Sequence, residues 1–138
     1  MNKINDFEKN KKLGQHFLND RNILKKILNL HENLTLGTVI EIGPGMGSLT
    51  KEILNRNAKL IAIEKDIRLK EPLFNLRELW PNNLEIIFGD ALKIDINNLG
   101  SEPRRIIANL PYNIGTELLV RCLEKPKSFS SITVMLQK

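Results

Sequence analysis

One cysteine, Cys122, occurs in 138 residues. No disulfide can close within the chain and no multi-thiolate metal site can form, which suits a reducing, cytoplasmic setting. No apolar run approaches the ~20 residues that a membrane-spanning helix needs, so no membrane partner is expected. The N-terminal MNKINDFEKNKKLGQHF has no hydrophobic stretch followed by a small-residue cleavage site, so no secretory signal is expected. Internal repeats and low-complexity tracts are also absent.

What is there is ordinary for one globular domain: 41% hydrophobic and 27% charged residues. The length allows a real core but is short for an enzyme that holds both a cofactor and a macromolecule. The formal charge is +5, and its distribution is uneven. Residues 1–26 carry seven cations (Lys3, Lys9, Lys11, Lys12, Arg21, Lys25, Lys26) against Asp6, Glu8 and Asp20, a net of +4. The remainder is close to neutral at +1. A basic arm on a neutral body reads either as a phosphate-contacting segment or as a solvated lysine-rich tail. Residues 1–13 are expected to be a flexible basic arm, and residues 14–138 the folded domain.

Asn19 or Asp20 can cap a helix running to about His31, with Ile23, Leu24, Ile27, Leu28 and Leu30 on or near one face. Short apolar runs then alternate with helical patterns. Strands are predicted at Thr38–Ile42, Leu60–Glu64, Leu84–Phe88, Arg105–Asn109 and Ile132–Leu136. Helices are predicted at Ser48–Asn55, Pro72–Leu79 and Thr116–Glu124. Nearly all-apolar strands alternating with helices imply an α/β fold, a Rossmann-like parallel sheet buried on both faces and flanked by helices. Functional residues then belong at the carboxyl ends of the strands. The sequence stops at about strand five, which would leave an open sheet edge, so a truncated sheet or a covering partner is expected.

Glu41-Ile-Gly-Pro-Gly-Met-Gly47 follows the first strand and opens a helix. Gly43, Gly45 and Gly47 remove side chains where backbone must approach a ligand or take positive φ. The spacing is G-x-G-x-G, and Ser48 stands where a dinucleotide fingerprint would end in glycine. Glu41 adds negative charge, which would repel a pyrophosphate and favour a sulfonium with an ammonium group. Glu64 ends strand two, 17 residues after Gly47, where a carboxylate accepts from both ribose hydroxyls. Asp90, in Phe-Gly-Asp-Ala after strand three, is placed to accept from an adenine amino group. Singly, these are a tight turn and helix caps. Jointly, after three successive strands, they point to S-adenosylmethionine (AdoMet) rather than NAD.

Strand four ends in Ile-Ile-Ala-Asn109-Leu110-Pro111-Tyr112-Asn. A polar amide, a proline and an aromatic at a strand end suit a planar amine. The adenine N6 lone pair is delocalised and a poor nucleophile. The Asn109 side-chain oxygen and the Leu110 or Pro111 carbonyl can accept its two N–H bonds and aim the lone pair at a methyl carbon. Tyr112 can stack on a base swung out of its helix. No strong general base is required, because the sulfonium is an activated donor; orientation and electrostatics suffice. The plainer alternative is a proline-tyrosine turn packing the strand end.

These motifs, with Leu13-Gly-Gln-His-Phe-Leu18, Gly89-Asp90-Ala91 and Asn109-Leu-Pro-Tyr-Asn-Ile114, resemble the ribosomal RNA adenine dimethyltransferases, most closely the small-subunit (16S) rRNA dimethyladenosine transferases. The resemblance runs from about Lys11 to the last residue. It implies AdoMet contacts from His16, Leu18, Gly43, Glu64, Asp90 and Asn109. It also implies two successive methyl transfers to N6 of each of two neighbouring adenosines near the 3′ end of small-subunit rRNA, in the 30S ribosomal subunit precursor, by a monomer. Members of this family are about twice as long, with further strands and a small helical domain that grips RNA, so an N-terminal fragment is expected. Relatives that methylate a large-subunit (23S) adenosine and confer macrolide resistance more often carry Asn-Ile-Pro-Tyr, and rank second. A non-catalytic RNA- or ribosome-binding fragment is the reading from another class. A methyltransferase for a small molecule or protein amide is third, disfavoured by Leu110 and GQHFL.

Overall fold

The computed structural model describes residues 20–137. The basic arm over residues 1–13, His16 and Leu18 lie outside the described residues. The chain divides into two units, residues 1–32 and residues 33–138. In the first, helix α1 spans Arg21–Leu28 and Asp20 is its cap. One Asp20 carboxylate oxygen accepts from the amides of Asn22 (3.0 Å) and Ile23 (3.4 Å), two of the donors that a helix start leaves without partners. The helix stops short of the expected His31. The amides of Leu30 and His31 turn to the carbonyls three residues back, Ile27 and Leu28, which tightens the last turn and ends the helix.

The second unit contains β1 (Thr38–Ile42), α2 (Ser48–Leu54), β2 (Leu60–Glu64), α3 (Lys70–Leu79), β3 (Leu84–Phe88), β4 (Arg104–Pro111), α4 (Tyr112–Leu123) and β5 (Ser131–Gln137). The sheet order is β3-β2-β1-β4-β5, and every pair is parallel. β1, β2 and β3 begin and end where the apolar runs predict. All five residues of β1 and all five of β2 are buried, as a central strand covered on both faces requires. Ile40, Ile63, Ile106 and Leu118 sit in one core cluster with Cys122 and Phe129. Each fully buried aliphatic side chain there contributes about 1.5–3 kcal/mol.

Further element boundaries differ from expectation for identifiable reasons. β4 continues to Pro111 because β5 pairs alongside it as far as Gln137. α4 begins at Tyr112, four residues before the expected Thr116. The helix runs through Gly115, which lies against β5: a Cβ there would stand 2.3 Å from Leu136 Cδ2 and 3.3 Å from Val134 Cγ1. The glycine thus marks close helix–sheet packing, not a break. α3 likewise starts two residues before Pro72, whose missing N–H falls in the first turn where no intrahelical partner exists.

Candidate functional site at the switch point

The chain runs outward from β1 through β2 to β3, then returns to β4 on the other side of β1. Where the strand order reverses, the loops after β1 and β4 part and leave a crevice at the strands' carboxyl ends. The register brings the predicted residues to that edge. Ile42 is level with Ile63 of β2 and Ala108 of β4, so the next residues, Gly43, Glu64 and Asn109, share one level. Glu64 is level with Phe88, and Gly89 and Asp90 follow.

The glycine loop is held by its own amides. Gly43 donates to the Ile63 carbonyl (2.9 Å) and Gly47 to the Pro44 carbonyl (3.0 Å). Gly45 donates to a Glu64 carboxylate oxygen at 3.1 Å. Gly47 has φ +93° and is the residue from which α2 starts; a Cβ there would stand 2.3 Å from Leu76 Cδ1. Gly45 has φ +58°, and a Cβ on it would meet nothing within 4 Å, so its open side is free for a ligand. At Gly43 a Cβ would stand 3.2 Å from Leu110 Cδ2 and 3.6 Å from the Asn109 carbonyl oxygen. The glycine loop and the Asn109–Tyr112 segment therefore lie against each other.

Glu64 is 7% exposed. Its second oxygen accepts from the Asp66 amide at 3.0 Å. Two backbone N–H bonds fix the carboxylate and leave about half of its ~4 lone-pair sites for a diol. Asp90 accepts from the Leu92 amide at 3.0 Å through one oxygen; the other stands 3.7 Å from the exposed Lys65 ammonium, a pair that solvent screens. Asn109 is half-buried, and no hydrogen bond ties its side chain to another described residue. Leu110 is buried, Pro111 is exposed, and Tyr112, at the first position of α4, is 59% exposed.

Glu41 needs a correction. Its expected negative charge beside the ligand is not what the fold provides. Its side chain is 2% exposed and accepts from the Thr50 hydroxyl at 2.6 Å. Burial, opposed by the Thr50 bond and reinforced by the nearby Glu64, lifts its pKa to about 8. Burial thus favours the uncharged acid at Glu41. Thr50 and Lys65 are the neighbours that sequence reasoning missed. Neither lies in a recognisable motif; only the folded register brings Thr50 to Glu41 and Lys65 to Asp90. Among the described residues, no group of three or more His, Cys, Asp or Glu could hold a metal ion, and no helix is long and apolar enough to cross a membrane.

Comparison with known proteins agrees with this geometry. The family model "Ribosomal RNA adenine dimethylase" matches residues 6–138. Ribosomal RNA small subunit methyltransferase A of Rhodospirillum rubrum is 47% identical over 127 residues, which is 91% of this chain and 44% of that protein. The crystal structure of the 23S rRNA methyltransferase ErmE superposes with a TM-score of 0.73 at 30% identity, over 85% of this chain and 46% of that one. A dimethyladenosine transferase from Plasmodium falciparum gives 0.71 at 31% identity, over 85% and 42%. The chain spans about half the length of the curated relatives it matches. It belongs to the ribosomal RNA adenine dimethylase family.

Proposed function

We propose that this chain carries the AdoMet site and the amine-presenting loop of an rRNA adenine-N6 dimethyltransferase acting on small-subunit rRNA, with residues 14–138 forming the cofactor-binding domain. The observation that carries the reading is the contact of the two motifs, with Gly43 packed on Leu110 and facing the Asn109 carbonyl. It supports a cofactor cradle and an amine acceptor sharing one crevice. The residues present fit the cofactor. Gly45 leaves open space above its backbone, the fixed Glu64 carboxylate suits a ribose diol, and Asp90 suits an adenine amino group. His16 and Leu18 are proposed as further contacts.

AdoMet, when bound, supplies a methyl group on a positively charged sulfur. The protein's part is orientation. The Asn109 side-chain oxygen, not engaged elsewhere among the described residues, accepts a hydrogen bond from one N6–H. The Leu110 or Pro111 carbonyl accepts the other, which draws the nitrogen lone pair out of conjugation. Tyr112 offers an exposed ring for stacking against the extruded base. Leu110 packs beneath the loop and keeps the Asn109 backbone against Gly43.

The test is methyl transfer from labelled AdoMet to small subunits that lack these methyl groups, with digestion to nucleosides. N6,N6-dimethyladenosine is the expected product. If incorporation requires a chain extended past Lys138, the crevice is the chemical half of a longer enzyme; if neither version transfers methyl groups, the catalytic reading fails. The likeness to the ErmE structure favours a second reading, a large-subunit adenosine target. Labelling of large subunits in place of small ones would select it.

A further inference from the structure

Glu41 is a buried acid for which the proposed chemistry has no use. It lies on β1 between Ala62 of β2 and Ile107 of β4, so no polar group meets it from either neighbouring strand position. Its partner is the Thr50 hydroxyl at 2.6 Å. Thr50 is itself 0% exposed and sits at the third position of α2. The nine-residue separation between them spans the whole glycine loop. One end of the bond is on the strand that enters the loop, and the other is on the helix that leaves it.

α2 starts from Gly47, which has no side chain to cap the helix. The Gly45 amide is drawn the other way, to Glu64 on β2. Glu41 is 2% exposed and accepts from Thr50, whereas the Glu64 carboxylate holds the loop amide of Gly45. The charge that reaches it is that of Glu64, which disfavours ionisation and favours the neutral acid.

We propose that Glu41 and Thr50 form a positioning pair: their buried hydrogen bond fastens the strand side of the Gly43–Gly47 loop to its helix side and holds the loop amides where the cofactor needs them. The mechanical part stands on the ligand-free geometry, and the effect on affinity rests on the AdoMet reading above. A neutral amide preserves the bond, because Gln accepts from the Thr50 hydroxyl as the acid does. Serine preserves the donor. Valine keeps the shape of Thr50 and removes it.

The test pairs amide hydrogen exchange of the ligand-free chain with calorimetric titration of AdoMet. Thr50→Val and Glu41→Ala should speed exchange at Gly45, Gly47 and Lys51 about tenfold beyond any change in global stability, and weaken AdoMet binding by a similar factor. Thr50→Ser and Glu41→Gln should stay within about threefold of the native chain in both readouts. Native-like loop exchange in Thr50→Val overturns the pair. So does Glu41→Gln behaving like Glu41→Ala, or a rise in exchange that only tracks global stability. Faster loop exchange with unchanged affinity removes the link to the cofactor. If the native chain takes up no AdoMet, the cofactor reading fails, and the exchange results still judge the pair.

Discussion

Two glycines in one loop should respond to alanine in opposite ways. At Gly47 the added methyl would stand 2.3 Å from Leu76 Cδ1, and Leu76 is a core residue, 5% exposed, that has no solvent to swing into. The backbone there has φ +93°, well outside the left-handed well that L-residues tolerate. Left-handed backbone costs about 1–2 kcal/mol and overpacking about 1–3, so Gly47→Ala should lose roughly 2–5 kcal/mol. At Gly45 the φ of +58° lies inside that well, and the methyl meets nothing within 4 Å. Gly45→Ala should cost about 1 kcal/mol but fill the space over the loop, and so weaken AdoMet binding out of proportion to its effect on folding. Urea unfolding at constant m-value reads the first effect as a midpoint lowered by about 1–2 M for Gly47→Ala. Calorimetric titration reads the second. Equal destabilisation by both substitutions, or a Gly47→Ala chain as stable as the native one, would refute the packing argument.

Other outcomes follow from the same geometry. Glu41 has a folded pKa of about 8 against 4.5 in the unfolded chain. Its contribution to stability is therefore complete below about pH 4.5, declines between 4.5 and 8, and is gone above; at ~1.4 kcal/mol per pH unit the upper bound on that loss is about 5 kcal/mol. Glu41→Gln should flatten this fall relative to the native chain in urea melts taken from pH 5 to 8.5, and parallel curves would contradict the buried-acid assignment. Asn109→Ala should cut methyl transfer by at least about a hundredfold while AdoMet affinity falls only modestly in a calorimetric titration. Loss of affinity with the fold intact would make Asn109 mainly a cofactor residue. Tyr112→Ala should raise KM for the RNA with kcat within about threefold; unchanged steady-state constants remove the stacking role. Asp90→Ala should weaken AdoMet about tenfold by leaving an adenine amino group without its acceptor, measured by the same titration.

The strands were legible because a parallel sheet covered on both faces writes itself as uninterrupted apolar runs. Thr38–Ile42 and Leu60–Glu64, buried at every position, need no tertiary information to be recognised. The glycine loop was legible for a similar reason: close backbone approach demands glycine whatever the surroundings. What stayed hidden depends on neighbours distant in sequence. Gly115 falls just before the expected helix start, and its place inside α4 is explained only once β5 is seen against it. Glu41 reads as a charge until Ala62 and Ile107 flank it and Thr50 takes its oxygen. Its ionisation is a property of burial, which the local sequence does not state. The expected cofactor residues Gly43, Glu64 and Asn109 do come to one level of the sheet.

The most direct measurement is a titration of AdoMet into the native chain followed by amide NMR. Shifts are expected to centre on Gly43, Gly45, Gly47, Glu64, Asp90 and Asn109, at the carboxyl ends of β1 to β4. Absence of shifts would contradict the AdoMet reading. So would shifts at the opposite end of the sheet, in the shallow groove lined by Thr38, Lys59, Asn83 and Gly100.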